Sequence, residues 1–256
     1  MKDLELALAL ADAADAISLT RFQALDLKIE TKPDRTPVTD ADQSVERKIR
    51  DMISQLAPSD IVIGEEFENT GSSSRAWIVD PIDGTANFLR GLPIWATLIA
   101  LRIDSTITTS VVSAPAMGRR WWASQGEGAF TRDVDGSVRK LSVSAVSDLS
   151  DSYISYNSIQ QWQRIGKEKN IENLSQQVWR IRAFGDFLSY MYVAEGAIDA
   201  ASEPDLKIYD IAALVPIVQE AGGRFTDLTG ELSEHSSTVL ASNGLIHEAI
   251  RAELNR

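Results

Sequence analysis

Residues 77–88 read WIVDPIDGTANF. A short β-rich run, Trp77, Ile78 and Val79, delivers Asp80 at its end; Pro81 is expected to stop any ladder or helix there. Asp83 follows three residues after Asp80, with Gly84 and Thr85 next. Two carboxylates thus leave one strand end together, and each disfavours the other's ionised form unless a cation neutralises them. Mg²⁺ suits such a place, because it is a hard ion that takes oxygen ligands and is commonly held by one or two carboxylates plus substrate phosphate. Gly84 allows close backbone approach, and residues 85–89 are expected to open a helix whose free N–H groups face an anion. A plain β-turn is the other reading of the same residues, since Asp, Pro and Gly all favour turns.

Composition narrows the chemistry. The chain has 256 residues, enough for one large domain or two of ordinary size with a substantial core. Its 37 Asp+Glu against 25 Lys+Arg give a net charge of −12, which argues against binding nucleic acid or an anionic membrane through a basic surface. A phosphorylated substrate would need metal ions for attraction. Cysteine is absent, which excludes thiol nucleophiles, disulfides and Cys-ligated zinc. With His235 and His247 as the only histidines, a His-rich metal cluster is excluded too. The acidic start MKDLEL lacks the positive region of a secretion signal and no apolar run reaches membrane-spanning length, so a cytoplasmic location is expected.

Along the chain, residues 4–25 carry apolar positions at three- and four-residue spacing and predict an amphipathic helix. Residues 29–39, with two prolines, predict a mobile loop or hairpin, and residues 40–56 a second helix capped by Thr39 or Asp40 with Asp42 in its first turn. A strand at 61–63 ends at Gly64, Glu65 and Glu66, followed by a Gly/Ser-rich loop over 69–74. Strands are expected at 96–103, 106–112, 119–123 and 129–132, joined by short turns and hence antiparallel. Beyond residue 141 strands at 153–156, 178–181, 197–201, 224–227 and 238–241 alternate with helices near 160–169, 186–194, 208–221 and 245–254, an α/β texture. A boundary is placed within 133–141, giving an N-terminal α+β half, 1–136, and a C-terminal α/β half, 137–256.

Three acids at strand ends, Glu65, Asp80 and Asp83, are joined by Asp210 in KIYDIAAL, near the start of an otherwise apolar helix. Each alone has an ordinary explanation as a loop or helix-start acid. Together, in a chain without cysteine, they are better explained by two Mg²⁺ ions sharing Asp80.

These residues carry a resemblance. Glu65 in IGEE, the run WIVDPIDGTANF, and YDIAAL with EAGG at 220–223 resemble, in order and spacing, the signature of the inositol monophosphatase superfamily of Mg²⁺-dependent, Li⁺-sensitive phosphatases. The likeness extends from VTDAD near Asp42 to the C-terminal helix. Tyr209 stands where inositol phosphatases usually carry Trp, which leaves the metal role of Asp210 untouched. The resemblance implies a layered αβαβα sandwich, antiparallel sheet first and mixed sheet second, with the active site where the halves meet. It implies that Glu65, Asp80 and the Ile82 carbonyl hold one Mg²⁺ and Asp80, Asp83 and Asp210 a second, with a third, weaker ion on Asp42. Backbone amides of Gly84 and Thr85 would hold phosphate, and Thr85 with Asp42 would orient the attacking water. A homodimer is implied as well.

For the substrate, residues 88–101 and 180–200 look like the histidinol-phosphate phosphatase branch, notably in Gly185 followed by Asp186. Histidinol carries an ammonium and an imidazole and needs carboxylate acceptors, for which Asp186 and Glu203 are candidates; neutral inositol needs only hydroxyl partners. Asp186 also reads as a helix N-cap. Arg182 is a weaker candidate for phosphate or for a neighbouring subunit. The runner-up substrate is inositol-1-phosphate or another small monoester, and a non-catalytic Mg²⁺-binding protein on the same fold is the remote alternative. Asp40, Asp42 and Ser44 superficially match the DxDx[ST] motif of haloacid dehalogenase-type phosphatases, but polar, proline-containing DRTPVT precedes them where that motif needs a buried strand. No GxxxxGK[ST] or GxSxG occurs, so neither P-loop nor serine-hydrolase chemistry has support.

Overall fold

Trp77 and Val79 pack into one apolar cluster and Ile78 into another, so the strand that carries them is buried on both faces. That is why its sequence is almost continuously apolar rather than alternating. In this computed structural model, which describes residues 2–31, 37–69 and 71–256, the chain begins with α1 (Asp3–Arg21), β1 (Ile29–Thr31), β2 (Pro37–Thr39), α2 (Asp40–Leu56), β3 (Ile61–Gly64), β4 (Arg75–Asp83) and α3 (Thr85–Leu89). It continues through β5 (Ala96–Ile103), β6 (Thr106–Ala114), β7 (Arg119–Ser124), β8 (Gly128–Arg132), β9 (Val138–Lys140) and β10 (Tyr153–Ser155). Then come α4 (Ile159–Arg164), α5 (Glu168–Ser175), β11 (Arg180–Arg182), α6 (Asp186–Ala194), β12 (Ala200–Pro204), α7 (Ile208–Ile211), α8 (Leu214–Glu220), β13 (Arg224–Thr226), β14 (Thr238–Ser242) and α9 (His247–Leu254).

The first sheet has the order β3-β4-β5-β6-β7-β8-β9 and the second β11-β10-β12-β14-β13. Helices α1 and α2 cover the outer face of the first sheet through Leu6, Leu10, Val45, Ile49 and Ile53 against Trp77, Val79, Ile99 and Leu101. Between the sheets lie α6 and α8, where Phe187, Met191, Ile217 and Val218 meet Ile78, Leu98 and Trp121 from one side and Ala201, Val239 and Ala241 from the other. Helices α4, α5 and α9 close the far side, with Trp162, Leu174 and Ile250 on Ile154, Ala200 and Leu240. The result is five layers, αβαβα, with one apolar cluster running through the middle layer into both sheets. No helix among the described residues is long and apolar enough to cross a membrane.

Several expectations are revised. Pro81 does not end the ladder: β4 continues to Asp83, which pairs with Ala96, and the register shifts between Asp80 and Asp83. A bulge accommodates the proline's missing N–H, and its carbonyl is used instead, accepting from Thr97 Oγ1 at 2.8 Å. The first sheet is antiparallel except at one pair, β3 with β4, which run parallel. The first helix stops at Arg21 rather than residue 25, and the helix expected over 208–221 is split into α7 and α8. Pro216 has no N–H to give to the preceding turn, which accounts for the break. The hairpin over 29–39 forms as β1 with β2; residues 32–36 of that stretch, like residue 70 of the Gly/Ser-rich loop, lie outside the described residues.

Candidate active site

The parallel pairing of β3 with β4 brings the first two acids together. Gly64 is in register with Val79, so the residues that follow them, Glu65 and Asp80, leave the two strands side by side at the same edge. An antiparallel pair would have sent them to opposite ends. Asp80 shares the face of Ile78 by the two-residue period of a strand, and that face looks toward the middle helical layer. From that layer α7 brings Asp210.

One carboxylate oxygen from each of Asp80, Asp83 and Asp210 lies within 4.8 Å of the other two. Asp80 is buried, 2% exposed, and its Oδ1 accepts the Ile82 N–H at 3.0 Å. Burial pushes its pKa well above the usual carboxylate range, and the charges of Glu65, Asp83, Asp210 and Asp42 push it further. Asp83 is raised well above its ordinary value by burial and by Asp186 and Asp210, although its Oδ2 accepts the Phe187 N–H at 2.8 Å. Asp210 is pushed up to about 7 by burial, against the opposing hydrogen bond from the Lys207 N–H at 2.6 Å. Such a cluster is short of positive charge and offers only hard oxygen donors. The set therefore fits Mg²⁺, with the Ile82 carbonyl as a further oxygen at the same turn.

Beside the cluster, the Thr85 hydroxyl donates to the Ile82 carbonyl at 3.0 Å and lies 3.4 Å from Asp42 Oδ1. Asp42 is fixed in turn by Thr39, whose N–H and hydroxyl both donate to Oδ2, at 2.8 and 2.5 Å, while Thr39 Oγ1 caps α2 by accepting from the Ala41 N–H. Burial pushes Asp42 up to about 6, with the Thr39 hydrogen bonds opposing. Gly84 caps α3 at φ +85°, and a Cβ there would stand 2.9 Å from the Ile94 carbonyl and 3.2 Å from Asp186 Oδ2, so both backbone and space demand glycine.

A second acidic group adjoins the first. Asp186 starts α6, but its carboxylate does not cap that helix: Gly185 holds the cap position, and Asp186 Oδ2 instead accepts from Asn87 Nδ2 at 2.8 Å. Glu203, inside β12, is 5% exposed; Oε1 accepts from Asn157 and from Gln161 Nε2 at 3.1 Å, and Oε2 from the Tyr190 hydroxyl at 3.3 Å. Asn157 also accepts the Asp186 N–H at 3.3 Å, so one amide joins the two acids. Burial, then the charge of Asp186, push Glu203 up to about 8, and burial pushes Asp186 up to about 6. Burial together with Glu203 drives the Tyr190 hydroxyl well above its ordinary value. Asn157 and Asp186 both hold left-handed backbone, φ +56° and +49°, a local cost of the kind found where side chains are aimed for a task.

Most of the residues singled out in the sequence therefore converge here: Asp42, Asp80, Ile82, Asp83, Gly84, Thr85, Asp186, Glu203 and Asp210, with Glu65 close enough for its charge to act on Asp80 and Asp42. Arg182 does not join them; it lies exposed on the edge strand β11, opposite Ser155, and makes no hydrogen bond to Asp186, Glu203 or the Asp cluster. Sequence reading missed Asn87, Asn157, Gln161 and Tyr190. Asn87 lies inside the run 77–88 but was given no role there; Asn157, Gln161 and Tyr190 sit outside any motif, and only the tolerance of asparagine for left-handed backbone hinted at Asn157.

Comparison with known proteins agrees with this geometry. The family model described as "Inositol monophosphatase family" matches residues 2–256. The chain is 52% identical to the histidinol-phosphatase of Mycobacterium tuberculosis over 99% of its own length and 98% of the relative's. It is 49% identical to the histidinol-phosphatase of Streptomyces coelicolor over 100% of its own length and 98% of the relative's. Among solved structures, the IMPase of Thermotoga maritima superposes with a TM-score of 0.89 at 31% identity, covering 100% of this chain and 97% of that one. Acid cluster, five-layer fold and full-length match together make the chain a member of the inositol monophosphatase family.

Proposed function

We propose that this chain hydrolyses L-histidinol phosphate to L-histidinol and inorganic phosphate in a Mg²⁺-dependent reaction. The observation that carries the substrate choice is the pair of acids, half-buried Asp186 and buried Glu203, bordering the Asp80–Asp83–Asp210 cluster. Both acids can accept hydrogen bonds, and those from the ammonium or imidazolium of an amino-imidazole alcohol are charge-assisted and stronger than those from the hydroxyls of a neutral polyol. The names of the relatives at 52% and 49% identity support the same choice.

Glu65, Asp80 and the Ile82 carbonyl would hold one Mg²⁺, Asp80, Asp83 and Asp210 a second, and Asp42 a third, weaker one. Bound there, Mg²⁺ supplies positive charge that offsets the phosphate's and stabilises the charge that develops during displacement. The Gly84 and Thr85 N–H groups donate to phosphate oxygens. The Thr85 hydroxyl orients a water molecule, and Asp42, ionised at pH 7 with a pKa near 6, accepts its proton. The water oxygen forms a bond to phosphorus as the ester P–O bond breaks on the opposite side. The departing alkoxide oxygen takes a proton from solvent, and no covalent enzyme intermediate forms. Asp186 and Glu203, held by Asn87, Asn157, Gln161 and Tyr190, grip the cationic end of the substrate. A homodimer is proposed as well, with Arg182, exposed on the edge strand of the second sheet, as a candidate for its subunit contact; light scattering on wild type and Arg182→Ala tests both.

The deciding experiment compares kcat/KM for L-histidinol phosphate and inositol-1-phosphate on wild type, Asp186→Asn and Glu203→Gln. Wild type is expected to prefer L-histidinol phosphate. Each variant should lose about thirtyfold or more on that substrate and much less on inositol-1-phosphate, as when one partner of a buried charge pair is removed. Preference of wild type for inositol-1-phosphate would overturn the substrate assignment.

A further inference from the structure

One helical turn beyond Asp42, on the same side of α2, stands Glu46, 0% exposed. A carboxylate buried this deeply is strongly unfavourable unless paired and hydrogen-bonded, so its partners identify its task. Its Oε1 accepts from Arg50 Nε at 2.8 Å, and its Oε2 accepts the backbone N–H of Glu66 at 2.7 Å. Arg50 then donates through Nη2 to the Phe67 carbonyl at 3.1 Å, and its guanidinium lies 5.9 Å from the centre of the Phe67 ring, with that of Arg47 at 5.3 Å. On the other side of Glu65, a Cβ placed on Gly64 would stand 2.0 Å from Glu46 Oε1 and 2.2 Å from its Cδ. The carboxylate thus fills the space in front of Gly64, and glycine is needed there for room.

The backbone of residues 66 and 67 is therefore hydrogen-bonded from α2 and that of Gly64 is packed against it, and the residue between these contacts is Glu65. The strand β3 is only four residues long, lies at the edge of its sheet and opens directly into the connection that bears Glu65. Its one strand neighbour, β4, does not constrain the backbone past Gly64, since the register ends with Gly64 opposite Val79.

We infer that Glu46 and Arg50 form a positioning device for Glu65: they fix the backbone on both sides of it so that its carboxylate is presented beside Asp80, and they set the metal affinity of that position without touching ion or substrate. The same helix carries Asp42, so α2 is the common frame for a metal ligand and for the water-orienting acid. This rests on the reading of the carboxylate cluster as a divalent-cation site, and not on the choice of substrate.

The test is a titration of apo protein with Mn²⁺ followed by electron paramagnetic resonance, alongside apo Tm and the Mg²⁺ dependence of turnover, for wild type, Glu46→Gln and Gly64→Ala. Removal of a group that orients a metal ligand is expected to raise the dissociation constant of one Mn²⁺ about tenfold, while a second site is unchanged. The Mg²⁺ concentration for half-maximal activity should rise by the same factor, with kcat at saturating Mg²⁺ within about twofold of wild type. Glu46→Gln can fail to fold because Arg50 loses its counter-charge; Gly64→Ala keeps both charges and displaces the carboxylate sterically, and is expected to show the same Mn²⁺ defect. A lowered apo Tm with unaltered Mn²⁺ affinity in either variant would assign the pair a purely structural role and overturn the inference. Wild type that binds no Mn²⁺ would overturn the metal reading itself, and this inference with it.

Discussion

Asp83, the last residue of β4, accepts the backbone N–H of Phe187 at 2.8 Å, so a carboxylate of the first sheet is held by a helix of the middle layer. The contact joins residues 104 apart in sequence and fixes one acid of the cluster against α6, the helix that Asp186 begins. Its substitution separates catalytic from structural need. Asp83→Asn keeps an oxygen for the Phe187 N–H but removes a negative charge from a crowd of carboxylates. Phosphate release should fall by at least about a hundredfold, as for loss of a metal ligand. The apo protein should be no less stable than wild type, because like-charge repulsion is relieved. Enzyme assays with thermal melts in EDTA check both halves.

In the proposed mechanism the Thr85 hydroxyl, with Asp42, acts on the attacking water. Thr85→Ala removes the hydroxyl that lies 3.4 Å from Asp42 and 3.0 Å from the Ile82 carbonyl. kcat is expected to drop by about 10²-fold or more with KM little changed, the mark of an interaction made mainly in the transition state. Steady-state kinetics at saturating Mg²⁺ decides it.

Metal removal should have a pH-dependent effect on stability. Asp210 and Asp42 have folded-state pKa values of about 7 and about 6, above the ordinary carboxylate value of 3.8. An acid raised on folding is protonated in both states below pH 3.8 and contributes nothing there. Between pH 3.8 and its folded value the folded form keeps a proton that the unfolded form has lost, so stability falls as pH rises, and it levels off once the folded form too is ionised. Apo protein should therefore lose Tm between about pH 4 and 7, and the rise in Tm on adding Mg²⁺ should be larger at pH 8 than at pH 5. Differential scanning calorimetry with and without EDTA at the two pH values measures this.

His247 gives the opposite slope. It is fully buried, with its ring nitrogens against Thr226 Oγ1 at 2.9 Å and Ser242 Oγ at 2.8 Å, and burial lowers its pKa from 6.5 to about 4. A histidine depressed on folding contributes stability above pH 6.5, which is lost as pH falls toward 4 because only the unfolded form readily takes the proton. The gap corresponds to about 3 kcal/mol at most. Urea melts of wild type and His247→Gln in Mg²⁺-free buffer should differ by a smaller margin at pH 4.5 than at pH 7.

Which parts of this were legible in the sequence follows from what each residue depends on. Asp80, Asp83 and Gly84 stand out locally as two acids and a glycine at the end of a β-rich run, a pattern that alone also reads as a turn and gains its meaning from Glu65 and Asp210. Helix α2 and its Thr39 cap follow from apolar period and cap chemistry, both local, and its observed bounds match the expected ones. The parallel pairing of β3 with β4 is not local. Residues 65–74 are too few for the usual helical crossover, so pattern alone favours an antiparallel partner, yet the parallel pair is what sets Glu65 beside Asp80. Strand β12 was expected at 197–201 and lies at Ala200–Pro204 because small residues around Gly196 blur its start. That shift moves Glu203 from a loop into a strand whose neighbours supply its hydrogen bonds. Asn157 and Glu46 were invisible for the same reason: their roles are defined by partners far away in the chain or by the space in front of a glycine.

In the proposed reaction Asp80, Asp83 and Asp210 gather a divalent cation that takes part in phosphoester hydrolysis. Crystals soaked in Mn²⁺ and measured for anomalous scattering test it most directly. An anomalous peak within bonding distance of oxygens from all three side chains, lost in Asp210→Asn together with phosphate release, is the expected result. Turnover that survives EDTA, with no peak between these carboxylates, would contradict it.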